Sequence, residues 1–257
     1  MSASLTVKIG VLRNAIKLLK NWHLYVAMYF RFLRDDVVLE TRNGFRIKIR
    51  AKSTDLMAFT NVWLLHEYYK PGFEINDNDT IIDIGAHAGY FALYAAQFCR
   101  TGRILCFEPV KGNFDLLVEN MHNNRLTNVT CHNIAVSNQN KPIRIYLDET
   151  DQAAHGVHRI GKTHIESDAT TLSEIVDTNN IKQVHFLKLD CEGSEYDIFQ
   201  ATPDRYFEKI KKICLEYHAL KSDHSLLEQL KNRLSSLNFQ IVDNPTTDNL
   251  GMLYASK

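Results

Sequence analysis

The sequence has no surplus charge of either sign. Its 30 lysines and arginines face 30 aspartates and glutamates. A chain without net charge has no general pull toward a polyanion, so no nucleic-acid partner is expected. Proline is scarce, with 5 residues in 257, and no tract is of low complexity or repeated. The 5 cysteines, Cys99, Cys106, Cys131, Cys191 and Cys214, are odd in number and form no CxxC pair. They read as free thiols, mostly buried, in a reducing compartment. No apolar run reaches the roughly 18 residues that mark a membrane span. The N-terminus also lacks the compact apolar stretch and small-residue cleavage site of a secretory signal. These absences set the expectation of a cytoplasmic chain without a transmembrane span. The sequons at Asn78 and Asn128 then carry no weight.

What is present suffices for one sizeable core, since 45% of the residues are hydrophobic. Residues 1–34 stand apart because they hold Lys8, Arg13, Lys17, Lys20, Arg31 and Arg34 and no acid. Leu5, Ile9, Leu12, Ile16, Leu19, His23, Val26, Phe30 and Leu33 step by four and three, which predicts one helical face. Its charge suits an anionic membrane surface or a partner subunit, including a second copy; a helix packed on its own domain is the simpler alternative. A strand is expected at Phe45–Ile49 and a helix over Leu56–Tyr69, stopped by Pro71-Gly72. The division is therefore a helical N-terminal extension over 1–44 and a main domain over 45–257.

From Thr80 on, strands and helices alternate. "TIIDIG", "RILCFE", "NVTCHNIAV", "VHFLKLD" and "KKICLEYH" read as strands, with helices around Phe91–Phe98 and Phe114–Met121. Residues 141–147 read as a hairpin arm. Thr171-Leu-Ser-Glu174 and Ser225-Leu-Leu-Glu228 have capping-box spacing. "NFQIVD" and "GMLYAS" lie too close together for an intervening helix. The pattern implies an α/β fold with a mostly parallel sheet and an antiparallel C-terminal edge pair.

Ligands of such sheets bind beyond the carboxyl ends of the strands. "DIGAHAG" sits at one of these ends. Gly85 and Gly89 let the backbone turn sharply, and the helix that follows aims its free amides into the same space. The spacing is G-x-x-x-G, not the G-x-G-x-x-G that a dinucleotide wants. S-adenosylmethionine asks for less, since it carries no phosphate. It wants an acid on the next strand for its ribose, and Glu108 ends "ILCFE". A nicotinamide-dependent oxidoreductase is the runner-up enzyme. A nucleoside-binding module without catalysis would keep the same loop and Glu108.

"TIIDIGAHAGYFAL", "ILCFEPVKGNFDLLVENM", "NIAVSN", "TTLSEI", "HFLKLDCEGSEYDIF" and "ICLEYH" resemble, in this order, the motifs of FkbM-type S-adenosylmethionine-dependent methyltransferases. Upstream, Ser53-Thr54-Asp55 resembles that family's Thr-Ser-Asp segment. "LKLDCEGSE" is the most specific piece. The resemblance implies a class I methyltransferase (Rossmann-like) fold and methyl transfer to a hydroxyl, often of a sugar or glycan. It places Gly85, Ala86, His87 and Gly89 at the methionine end, with Asp83 in the cofactor-binding set. It puts Glu108 at the ribose and Asn133 and Ala135 near the adenine. His87 is a departure, for the family pattern usually carries Asn there; a histidine can still donate to the ligand carboxylate.

A second cluster follows "FLKLD". Asp190, Glu192 and Glu195 surround Gly193, and a carboxylate at a buried strand end needs a partner. Ser194 is placed to cap the next helix, and Glu195 suits its first turn. Glu216 and His218 share one face of the next strand. Methyl transfer is an in-line displacement, so the protein must align a hydroxyl and take its proton. His218 is expected as the general base. Asp190 and Glu192 are expected to position the acceptor; magnesium is the less favoured reading of the same carboxylates. No residue is assigned to a metal.

Overall fold

A computed structural model describes residues 4–147, 163–218 and 225–257. The chain starts with α1 (Leu5–Leu18) and α2 (Trp22–Tyr29), then a hairpin of β1 (Val37–Glu40) and β2 (Arg46–Ile49). α3 (Asp55–Phe59) runs into a π-turn over Thr60–Leu64. Next come β3 (Thr80–Ile84), α4 (Tyr90–Ala96), β4 (Arg103–Phe107), α5 (Lys111–Asn123) and β5 (Val129–His132). Four short strands follow, β6 (Ala135–Val136), β7 (Ile143–Leu147), β8 (Thr163–Ser167) and β9 (Ala169–Thr170). The chain closes with α6 (Leu172–Thr178), β10 (Phe186–Leu189), α7 (Glu195–Ala201), α8 (Asp204–Phe207), β11 (Lys212–His218), α9 (Ser225–Ser236), β12 (Gln240–Thr247) and β13 (Leu250–Ser256).

Seven strands form the central sheet in the order β5-β4-β3-β10-β11-β13-β12. The first five run parallel, and β13 lies antiparallel between β11 and β12. Alternate strand residues feed two apolar layers: Ile81 and Phe186 pack under α4 and the N-terminal elements, Ile82 and Leu187 under α6, α7 and α9. This is the mostly parallel α/β sheet with an antiparallel edge pair expected from the strand-helix alternation, and it fits the class I methyltransferase fold that the resemblance implies. From β3 the chain builds outward to β4 and β5, then returns to β10 on the other side. That reversal opens a crevice at the carboxyl ends of β3 and β10.

The N-terminal segment departs from the expected single helical face. Leu19 leaves the helix with extended dihedrals and bridges Thr41. Asn21 donates to the Val38 carbonyl and accepts from the Glu40 N–H, so the hairpin captures the chain between α1 and α2. The face of α1 is also reversed. Ala15 is buried and Val11 and Leu18 pack inward, while Leu5 and Ile9 stand 73% and 58% exposed. Ala15, Leu19, Tyr25 and Met28 belong to the same apolar cluster as Phe59, Trp63 and Phe91. The anticipated boundary at residue 44 falls in the turn of the β1–β2 hairpin.

The helix predicted over Leu56–Tyr69 is shorter. It turns π over Thr60–Leu64, and His66 enters the left-handed region at φ +55°. The expected strand "NVTCHNIAV" is split: β5 stays in the main sheet and β6 pairs with β9. The hairpin arm appears as β7 paired with β8, and the closing strands pair antiparallel. Thr171 Oγ1 accepts the Glu174 N–H at 3.2 Å as the capping box predicts. The residues before Ser225 lie outside the described ones.

Candidate functional site

The turn after β3 is shaped by two left-handed glycines. Gly85 has φ +73°, and a Cβ there would lie 1.8 Å from the Asp190 carbonyl oxygen. Gly89, at φ +83°, ends against α5; a Cβ would lie 2.5 Å from Leu117 Cδ1. Between them His87 adopts φ +49° despite its side chain. Such a residue costs of order 1–3 kcal/mol and persists only where its surroundings hold it. The hold is visible. The N–H groups of Gly85 and Ala86 both donate to the Phe107 carbonyl at 3.0 Å. The His87 N–H donates to Glu108 Oε2 at 2.9 Å. Glu108 Oε1 accepts from the Val110 N–H at 2.9 Å. Burial pushes the Glu108 carboxyl up to about 7, against these backbone bonds.

A cleft of about 110 Å³ opens over this turn. Gly85, His87, Glu108, Ala135, Asp190 and Glu192 line it, with Phe107 and Ile143 among the apolar walls. Six of the anticipated site residues thus meet at one place. Ala86, 3% exposed, and Gly89 shape the turn from behind. Asp83 and Asn133 do not line the cleft. Asn133 donates to the carbonyls of Glu108 and Pro109 at 2.9 and 3.0 Å, fixing the chain after β5. Asp83 is fully buried and ion-paired with Lys188 at 3.1 Å.

Lys188 was not singled out from the sequence, although a lone cation inside the apolar run "FLKL" was a signal. It stands beside Asp83 in the β3–β10 register. Its Nζ donates to the Gly85 carbonyl at 2.6 Å and approaches Asp190 Oδ2 at 4.0 Å. Despite burial, these carboxylates hold the ammonium well above the usual lysine range. The ion pair therefore braces the glycine turn from below.

The turn after β10 also uses left-handed backbone, with Glu192 at φ +54° and Gly193 at φ +100°. Glu195, fully buried, reaches back to accept the N–H groups of Cys191 and Gly193 at 3.0 and 2.8 Å. Ser194 makes no side-chain cap bond, contrary to expectation, because Glu195 already satisfies this turn. Asp190 Oδ2 accepts from the Tyr68 hydroxyl at 3.1 Å.

His218 Nε2 lies 3.2 Å from Glu192 and Nδ1 3.5 Å from Glu195. Burial opposes its charge, but Glu195, Glu192 and Asp190 raise it to about 10. Carboxylates face both ring nitrogens, an arrangement that favours the protonated ring. Glu67 and Glu216 crowd the same end of the sheet. Burial, with the neighbouring Asp190 next in size, lifts their carboxyls to about 7 and about 9. Asp190, Glu192 and His218 each offer an atom within 4.8 Å of the other two, a spacing one cation would bridge.

A third group closes the site. Asp55 is fully buried, and Arg50 grips both its oxygens at 2.8 Å. Arg50 Nη2 also donates to Asn113 Oδ1 at 2.8 Å and lies 3.4 Å from His87 Nε2. Burial lowers His87 to about 4, so its ring is neutral. Nε2 also lies 3.6 Å from Asp55 Oδ1, while the buried Nδ1 has no hydrogen-bond partner among the described residues. Arg50 is a second residue that sequence reasoning missed; neighbouring Asp55 lies in the quoted Ser-Thr-Asp segment.

The profile of the Methyltransferase FkbM domain matches residues 83–241, more than half of the chain. The chain belongs to the FkbM methyltransferase family. It carries that family's methyltransferase domain on a class I fold. A curated relative, Methyltransferase 1 of Beauveria bassiana (strain ARSEF 2860), is 26% identical over 175 residues, covering 60% of this chain and 70% of the relative. The crystal structure of methyltransferase FkbM from Methylobacillus flagellatus KT has the same fold, with a TM-score of 0.52 at 19% identity. The match covers 91% of this chain but 59% of that one, so this methyltransferase spans less than two thirds of its solved relative.

Proposed function

We propose that this FkbM-family methyltransferase methylates a hydroxyl, of a sugar or glycan acceptor. The observation that carries the reading is the meeting of two strand ends in one cleft: Gly85, His87 and Glu108 on one side, Asp190 and Glu192 on the other. S-adenosylmethionine, when bound, would supply a sulfonium methyl whose carbon an acceptor oxygen can attack, with S-adenosylhomocysteine as the leaving group.

The residues present fit this donor. The close approach of Gly85 to the Asp190 carbonyl, which leaves no room for a side chain, sets the glycine turn against the β10 turn and so brings both walls of the cleft together. The unpartnered Nδ1 of His87 suits the polar methionine end of the donor. Glu108 keeps lone pairs free for two ribose hydroxyls, since each oxygen accepts one backbone N–H. Ala135 and Val136 offer an apolar wall to the adenine.

On the acceptor side, Asp190 and Glu192 accept hydrogen bonds from sugar hydroxyls and align one of them for in-line attack. Asp190 takes the proton that the attacking oxygen releases. His218, already protonated, holds Glu192 and Glu195 in place and is a positioning residue. The decisive experiment offers labelled donor with free sugars, glycans and lipid-linked sugars. Label in a sugar methyl ether supports the reading, and label only on amines or thiols removes it. The 4.8 Å cluster favours one further version. There Asp190, Glu192 and His218 would hold a divalent cation, which would supply Lewis-acid activation of the acceptor hydroxyl. Activity abolished by chelator and restored by magnesium would select that version over the first.

A further inference from the structure

Apart from the donor cleft, the described residues enclose a much larger space. A groove of about 1110 Å³ runs between α1, α2 and α3. Its apolar lining includes Leu5, Ile9, Leu12, Tyr29, Phe30 and Met57, all substantially exposed. Beside it Phe32, 76% exposed, stacks on Phe30 with ring centroids 5.9 Å apart. Large apolar side chains held out in water at this density mark an interaction surface.

The charge on this surface has one sign. Lys8, Arg31, Arg34, Arg50 and Lys52 line the groove, and no acid does. Asp35 and Asp36 follow directly, but Asp36 accepts the Ala51 N–H rather than facing the groove. Arg50 is committed to Asp55, which leaves Lys8, Arg31, Arg34 and Lys52 as the outward cations. A second copy of the chain docked two-fold on this face would set these cations against themselves, which disfavours self-association. A surface of exposed phenylalanine and tyrosine interleaved with long basic side chains matches the water–lipid boundary, where rings enter the acyl edge and cations meet anionic headgroups.

We propose that the face built from α1, α2 and the turn 30–34 docks on an anionic lipid bilayer. No helix among the described residues is long and apolar enough to cross a membrane, so the contact is peripheral. Docking would hold the cleft near the lipid surface, because Arg50 lines the groove and also reaches His87 in the cleft.

The test uses the full chain and vesicles of phosphatidylcholine alone or with about one third phosphatidylglycerol. Co-sedimentation with the anionic vesicles, falling with added salt, is expected. The double variants Phe30→Ser/Phe32→Ser and Lys8→Gln/Arg31→Gln should each lower partitioning about tenfold or more. Both should bind S-adenosylhomocysteine like the wild type, which shows that they are folded. No binding to anionic vesicles overturns the proposal. Undiminished binding by both folded variants also overturns it. So does a shift from dimer to monomer in the variants without any vesicle effect, which would make the face a contact between copies.

Discussion

The turns after β3 and β10 lie side by side and are built alike, yet they differ in how they hold charge. Both bend through left-handed residues, His87 between two glycines in one and Glu192 before Gly193 in the other. The first turn is neutral at its surface: burial keeps His87 uncharged, and the ion pair of Asp83 with Lys188 lies beneath it. The second gathers Asp190, Glu192 and Glu195 around a protonated His218. The difference suits the proposed division of labour, with a turn of neutral surface for the zwitterionic methionine end of the donor and an acidic wall for hydroxyls. Identical backbone devices thus serve unlike chemistry, because the partners beneath each turn differ.

The comparison breaks most sharply at Asp190. Asp190→Asn keeps shape and removes the proton acceptor, so turnover should fall roughly 10²–10⁴-fold. Calorimetric binding of S-adenosylhomocysteine should stay near normal, because the donor side is untouched. Loss of binding equal to the loss of turnover would merge the two walls into one site.

Gly85→Ala tests their physical contact. The added methyl would lie 1.8 Å from the Asp190 carbonyl at a left-handed position, and a loss of about 3 kcal/mol in denaturant unfolding is expected. Wild-type stability would mean that the β10 turn yields without cost.

Glu108→Gln sharpens the donor wall. It should weaken S-adenosylhomocysteine binding by about 1–3 kcal/mol. The wild type should also bind more tightly as pH rises through about 7, since the carboxyl that burial holds protonated below that value must ionise to accept both ribose hydroxyls. A pH-independent affinity would move the ribose elsewhere.

The smallest effect concerns His218. Its folded value, about 10, lies above its ordinary 6.5. Its ion pairs therefore contribute stability that is fully present below 6.5 and lost as pH rises through about 10. The stability gap between wild type and His218→Gln should shrink over that window. A gap that instead widens with pH would return His218 to the neutral state and to the role of base.

The sequence alone determined the alternation of strands and helices, the glycine turn, and the strand ends that carry Glu108 and Asp190. These follow from local rules: apolar runs make buried strands, glycine permits left-handed backbone, and an acid at a strand end is placed by the strand itself. Tertiary structure decided which way α1 faces. A three-and-four spacing names a helical stripe but not its partner, and α2 and the π-turn took the opposite side, where Asn14 donates to the Leu64 carbonyl. It also decided that Asp83 pairs with Lys188, since only the β3–β10 register brings the two together. The protonation of His218 was likewise out of reach. It depends on how closely β11 brings His218 to Asp190, Glu192 and Glu195 on the neighbouring turn and helix, and Coulomb energy depends on distance through space, not on separation along the chain.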